Sequence, residues 1–266
     1  MRILIVNDDG INAPGLTVAE EIAAEIAGPT AEIWVVAPEN ERSGASHAVS
    51  YTTPLRVQQI ADRRYAIDGY PADCALVGLR HLLRDTPPDL VLSGVNRGFN
   101  LAEDVVVSGT VGAAMEAALA GARAIALSQA YSRGPDAPLD LWGSARAMGA
   151  EAVRAVLDMP QAPGVFYNVN FPARAPGQVS GMTVCPQGLR QAATFDLDFY
   201  EAANGRHYHF LRHTTQNRSA EPGSDAMLCA EGWVTITPLE ARLTATHLLD
   251  DARAALAAPD TDAAAV

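Results

Sequence analysis

The sequence predicts an α/β protein with a mostly parallel sheet covered by helices on both faces, and three observations point to it. Short apolar runs alternate with stretches of helical period through the first half of the chain. The runs are apolar throughout instead of alternating with polar residues, the pattern of strands buried on both faces. Each helical stretch also carries its own start or stop signal.

In order, the strands are expected at 3–6, 32–37, 90–93 and 124–128, with helices at 16–27, 71–84 and 111–120. Gly28-Pro29 ends the first helix. Pro71 suits the first position of the second, with Asp73 in its first turn, and Gly121 follows the third. Residues 55–57 and 64–67 read as a small inserted hairpin. The second half forms a C-terminal extension, with a long helix at 139–157 and strands at 165–170, 182–184, 207–211 and 233–237. Residues 187–225 are polar and resist assignment, and 257–266, rich in Ala and Asp, read as a frayed, disordered tail. The expected organisation is one domain over 1–256, with a catalytic core at 1–130 and a C-terminal part at 131–256. The apolar strand at 233–239 has no obvious sheet partner in the sequence, so it is expected to pair with a second copy of the chain.

Composition narrows the function. The 266 residues, 48% hydrophobic, are enough for a substantial core. No apolar run approaches the roughly 20 residues needed to cross a bilayer, and no signal peptide is visible, so the expected location is the cytoplasm with no membrane partner. Cys74, Cys185 and Cys229 lie far apart and read as buried thiols. A net charge of −12 disfavours a large nucleic acid as partner. All 19 basic residues are arginine. Without lysine, the chain does not read as a P-loop NTPase, a pyridoxal phosphate enzyme or a protein kinase, and a phosphatase that pairs Asp with Lys is disfavoured.

In a doubly wound sheet, ligands bind beyond the carboxyl ends of the strands. Three such loops stand out: NDDG after the first strand, PENERSGASH after the second and SGVNRGFN after the third. Adjacent carboxylates repel unless a cation or solvent intervenes, and carboxylate, hydroxyl and amide oxygens suit a hard divalent ion. Asp8, Asp9, Ser43 and Asn96 supply that set from three strand ends. Taken alone, Asn-Asp-Asp-Gly is equally a good turn. The segment EDVVVSGTVGAAMEAAL then places Ser108, Gly109 and Thr110 at a helix mouth, where free N–H groups and the helix dipole favour an anion. Thr110 also reads as an ordinary N-cap, and the two roles are compatible.

The runs MRILIVNDDGINAPG, VVAPENERSGASH, GYPADC, PDLVLSGVNRGFNLAEDVVVSGTVGAAMEAA, NVNFP and DAMLCAEGWVTITPL occur in this order. Together they resemble the SurE (survival protein E) family of metal-dependent 5′/3′-nucleotidases over nearly the whole chain. The resemblance implies a Rossmann-like three-layer α/β/α core and hydrolysis of nucleoside monophosphates to nucleoside and phosphate. It implies one divalent cation per subunit, Mg²⁺ or Mn²⁺, held by Asp8, Asp9, Ser43 and Asn96. Catalysis is expected from Asp8, Asn96 and Ser108, and phosphate or substrate contacts from Asn12, Asn100, Ser108, Gly109 and Thr110. It also implies a homodimer or homotetramer that exchanges C-terminal segments. The chain departs from the family pattern at Tyr70, Ala102, Val107 and Cys185-Pro186, and these departures bear on substrate preference.

Rival constellations are weaker. Cys74 and Arg80 have the spacing of a cysteine phosphatase loop but fall in an apolar helical pattern. His207 and His209 share one face of a strand and read as partly exposed strand residues. Arg212-His213 lacks the glycine of a histidine phosphatase motif. No G-x-S-x-G or G-x-G-x-x-G is present. The alternative from another class is a non-catalytic nucleotide sensor on the same fold.

Overall fold

The structure is a computed structural model that describes residues 1–132, 137–190, 195–213 and 220–257. Its strands are β1 (Arg2–Val6), β2 (Glu32–Pro38), β3 (Val57–Ala61), β4 (Arg64–Ile67), β5 (Leu90–Arg97), β6 (Ala124–Gln129), β7 (Val165–Phe171), β8 (Gly181–Val184), β9 (Phe195–Glu201), β10 (His207–His213) and β11 (Trp233–Glu240). The α-helices are α1 (Pro14–Ala27), α2 (Pro71–Val77), α3 (Gly109–Leu119), α4 (Gly143–Leu157), α5 (Asp225–Ala230) and α6 (Leu249–Ala257).

One sheet has the order β3-β4-β2-β1-β5-β6-β7-β11-β8. Strands β4, β2, β1, β5, β6 and β7 run parallel to their neighbours, while β3 and β11 are antiparallel to β4 and β7. The apolar strands are buried because both faces are covered. On one face Ile3, Ile5 and Leu92 pack with Leu16 and Ile22 of α1 and Ala152 of α4. On the other, Leu4, Val6 and Val91 pack with Cys74 of α2 and Val111 and Ala114 of α3. At roughly 25 cal/mol per Å² of buried apolar area, these layers are the dominant stabilising term. The chain moves outward from β1 to β2 and then returns to β5 on the opposite side of β1. That reversal opens a crevice at the carboxyl ends of β1 and β5, and NDDG and Asn96 lie there.

The three-layer arrangement and the parallel core agree with the sequence reading, but several elements differ. The second helix is α only over Pro71–Val77 and continues as a π-turn over Gly78–Leu82, where glycine meets the side chain of Leu4. The fourth helix begins at Gly143 and not at 139. The strand expected at 207–211 is β10, and it pairs with β9, which the polar stretch 187–225 did not reveal, as an antiparallel hairpin outside the main sheet. The expected tail at 257–266 lies outside the described residues beyond Ala257, which closes α6.

The largest correction concerns the strand at 233–239. It is not an unpaired edge. As β11 it lies between β7 and β8, with Thr235 opposite Asn170 and Thr237 opposite Asn168. Its alternation explains the placement: Val234 and Ile236 enter the α1/α4 core, while Thr235 and Thr237 turn toward the asparagines on the other face. No helix among the described residues is long and apolar enough to cross a membrane.

Candidate active site

Local backbone chemistry builds the NDDG turn. The buried side chain of Asn7 donates from Nδ2 to the Gly10 carbonyl at 2.9 Å, closing the turn on itself. Gly10 sits at φ 99°, where a Cβ would approach the Asn40 carbonyl carbon at 3.2 Å, so this corner needs glycine. The loop after β2 is tied down by the Arg42 N–H, which donates to the Asp8 carbonyl at 2.7 Å.

Asp8 is buried, 4% exposed, against the start of α3. Thr110 donates to both of its oxygens, from Oγ1 to Oδ1 at 2.6 Å and from its N–H to Oδ2 at 3.1 Å. A Cβ on Gly109 would lie 3.0 Å from the Asp8 Cβ and Oδ2, so the close approach of carboxylate to helix depends on that glycine. Burial pushes the Asp8 pKa up to about 7; the Thr110 hydroxyl opposes this and the charge of Asp9 adds to it. Asp9 accepts from the Arg97 N–H at 2.9 Å. Its pKa is also raised, first by burial and further by the charge of Glu41, with the Arg97 N–H pulling the other way.

Ser43 is exposed, and its hydroxyl donates to Glu41 Oε1 at 2.7 Å. Asn96 directs Nδ2 to the Gly98 carbonyl at 3.2 Å, which commits the nitrogen and leaves Oδ1 as its ligating atom. Among the described residues no three His, Cys, Asp or Glu side chains converge on one ion site. Any cation here therefore depends on hydroxyl and amide oxygens to complete two carboxylates, the donor set of a hard divalent ion. Two adjacent carboxylates, one buried and one partly buried, both with raised pKa, fit that ion: its charge would offset the burial and repulsion that now disfavour their ionised forms.

The helix mouth differs from the simple reading. The N-cap of α3 is Ser108, whose Oγ accepts from the Val111 N–H at 3.1 Å, and not Thr110. Thr110 spends its N–H and hydroxyl on Asp8, so the carboxylate itself occupies part of the positive end of the helix. The Gly109 N–H takes part in neither arrangement. Asn100 is buried away from the turn; its Nδ2 donates to Ser128 Oγ at 2.8 Å and its carbonyl accepts from Asn168 and Asn170. Asn12 is exposed on the turn after NDDG.

Sequence reasoning missed Glu41, which sits within the quoted loop and acts on Asp9 through charge. It also missed Asn168 and Asn170, although NVNFP contained them; two asparagines inside an otherwise apolar strand were the available signal. The C-terminal half braces the helix mouth as well. Arg190 donates from Nη1 to Asp104 Oδ2 at 2.7 Å and Glu103 Oε1 at 3.2 Å, while Asp225 Oδ2 accepts from the Ala102 N–H at 3.0 Å. Ala102 lies at φ 52°, in left-handed backbone that favours glycine, and these contacts hold it. Cys74 is buried inside α2 with burial pushing its thiol pKa well up, which rules it out as a nucleophile. His207 and His209 are exposed on β10 and touch the Phe199 ring.

The Thr110–Asp8 bond yields a direct expectation. Thr110→Val keeps the shape and the N–H but removes the hydroxyl donor to a charged partner. It should destabilise the protein by about 1.5–3 kcal/mol in denaturant titration and lower turnover. Unchanged stability and kinetics would remove Thr110 from the site.

A family model described as survival protein SurE matches residues 3–194. The chain is 47% identical to the 5′-nucleotidase SurE of Roseobacter denitrificans over 253 residues, which covers 94% of this chain and 97% of that protein. It is 46% identical to the 5′-nucleotidase SurE of Ruegeria pomeroyi, covering 96% and 100% respectively. The crystal structure of the SurE protein from Aquifex aeolicus superposes with a TM-score of 0.80 at 31% identity, covering 96% of this chain and all of that one.

Proposed function

The chain belongs to the survival protein SurE family, and from that premise we propose how its buried acidic turn serves the reaction. The protein is a metal-dependent 5′-nucleotidase that hydrolyses nucleoside monophosphates to nucleoside and phosphate. Nothing in the site favours a non-catalytic nucleotide sensor.

The observation that carries the mechanism is the pair Asp8 and Asp9 at the switch crevice, the first buried and the second partly buried, both with raised pKa. Asp8, Asp9, Ser43 and Asn96 would hold one Mg²⁺ or Mn²⁺ per subunit. When bound, the ion supplies positive charge against the phosphoryl oxygens and Lewis acidity toward water. Asp8 orients the attacking water and accepts its proton; Thr110 fixes both carboxylate oxygens so that the group needs no reorganisation. The Gly109 N–H and the positive end of α3 face the phosphate and stabilise charge as the P–O bond to the nucleoside breaks. Asn12 lies at the exposed rim in reach of substrate. Asn100 supports the floor through Ser128 and the two asparagines of β7.

Assembly belongs to the same proposal. The β9–β10 hairpin exposes Leu197, Phe199, Tyr200, Phe210 and Leu211, and a two-stranded ribbon of this kind is marginal alone in water. We assign it to exchange between subunits in a homodimer or homotetramer. Three buried free thiols suit a reducing compartment, and we place the enzyme in the cytoplasm.

The test is phosphate release from a panel of nucleoside monophosphates after chelation, then after adding Mn²⁺ or Mg²⁺. Activity should vanish with chelator and return with either ion. Full turnover in chelator would overturn the metal assignment, and no turnover of any nucleotide with ion would overturn the substrate assignment.

A further inference from the structure

The third strand-end loop leads out of the acidic site into a cleft of about 200 Å³ lined by Arg97, Tyr131, Ser132, Pro138, Leu139 and Leu141. Arg97 belongs to both places. Its N–H donates to Asp9, while its guanidinium lies 5.9 Å from the centroid of the Tyr131 ring. Tyr131 follows the end of β6, beside β5, so the ring stands on the same rim as the carboxylates. The cleft is too small for a drug-sized ligand and suits one flat ring system.

Resting on the nucleotidase reading, we propose that this cleft is the nucleobase subsite, with the Tyr131 ring and the Arg97 guanidinium as its stacking surface. Three features support it. A phosphate held at Asp8 and Asp9 places the nucleoside beyond the rim, and Arg97 is the residue that spans rim and cleft. The cleft offers a half-exposed aromatic ring, 40% accessible, with apolar walls from Pro138, Leu139 and Leu141. Stacking on an aromatic ring and an arginine plane accepts any base, because every base has a π-face. The chemistry expected of the enzyme is therefore tolerance among bases combined with selection against phosphate esters that carry none.

The experiment compares kcat/KM for AMP with that for ribose 5-phosphate in wild type, Tyr131→Phe and Tyr131→Ala, all with Mn²⁺. In Tyr131→Ala the ratio of AMP to ribose 5-phosphate should fall about 10-fold, the scale of one lost base–aromatic stack. Tyr131→Phe, which keeps the ring, should retain the wild-type ratio. A ratio unchanged in Tyr131→Ala, including the case where both substrates decline together, would overturn the subsite. If wild type turns over ribose 5-phosphate but not AMP, the nucleotidase reading fails, and this outcome is separate from any change in the ratio between variants.

Discussion

Asp8→Asn should abolish Mn²⁺-dependent phosphate release, by about 10²–10⁴-fold if general-base loss alone is counted, while leaving the metal-free protein folded and more stable than wild type at neutral pH. The two effects have one cause. Burial and the neighbouring charge of Asp9 penalise the ionised carboxylate that the reaction requires. Asparagine fits the same space without an orphaned group: its oxygen accepts from the Thr110 N–H and its amide donates to the Thr110 hydroxyl, which turns from donor to acceptor. The pH dependence has a defined sign. Asp8 is raised from 3.8 to about 7, so its contribution to the stability of the metal-free wild type is fully present below about pH 4 and is lost as pH rises through 7. The Asn variant should lack this decline in thermal unfolding with chelator present. Retained turnover, or an identical pH profile of unfolding, would contradict the assigned role.

Replacing β9 and β10, residues 195–213, with a short Gly-Ser link should convert the proposed oligomer into smaller species without unfolding the nine-stranded sheet. The hairpin lies outside that sheet, and its aromatic and leucine side chains remain exposed on a single chain. A second copy that covers Phe199 and Phe210 gains on the order of 1.5–3 kcal/mol for each side chain fully buried. Light scattering should show the mass falling to that of a smaller assembly or a monomer. Wild-type mass after removal would reject the hairpin as the exchanged segment. Truncation before Asp225 would be a poor version of this test, because it removes β11 from the interior of the sheet.

The core was legible because it obeys local rules. Ile3–Val6 and Leu90–Ser93 are apolar on both faces, and Gly28, Pro71 and Gly121 punctuate the helices between them. The acidic turn was legible because Asp8-Asp9 at a strand end conflicts with ordinary packing, and such conflicts concentrate at functional sites. What stayed hidden depends on distant contacts. Thr235 and Thr237 make β11 look less than a core strand until Asn168 and Asn170 are placed opposite. The role of Thr110 required knowing that Asp8, 102 positions away, lies beneath the helix mouth. β9, unlike the expected strand at 207–211 that it pairs with, interleaves acidic with apolar and aromatic residues and has neither face buried in one chain, so no local pattern marks an inside.

The assigned chemistry requires that Asp8, Asp9, Ser43 and Asn96 form one cation site. Calorimetric titration of Mn²⁺ into the chelator-stripped protein measures this directly, apart from turnover. One ion per chain should bind to wild type, with binding lost in Asp9→Asn and weakened in Asn96→Ala. Wild type that binds no ion, or an Asp9→Asn protein that binds it as wild type does, would show that these residues are not a cation site.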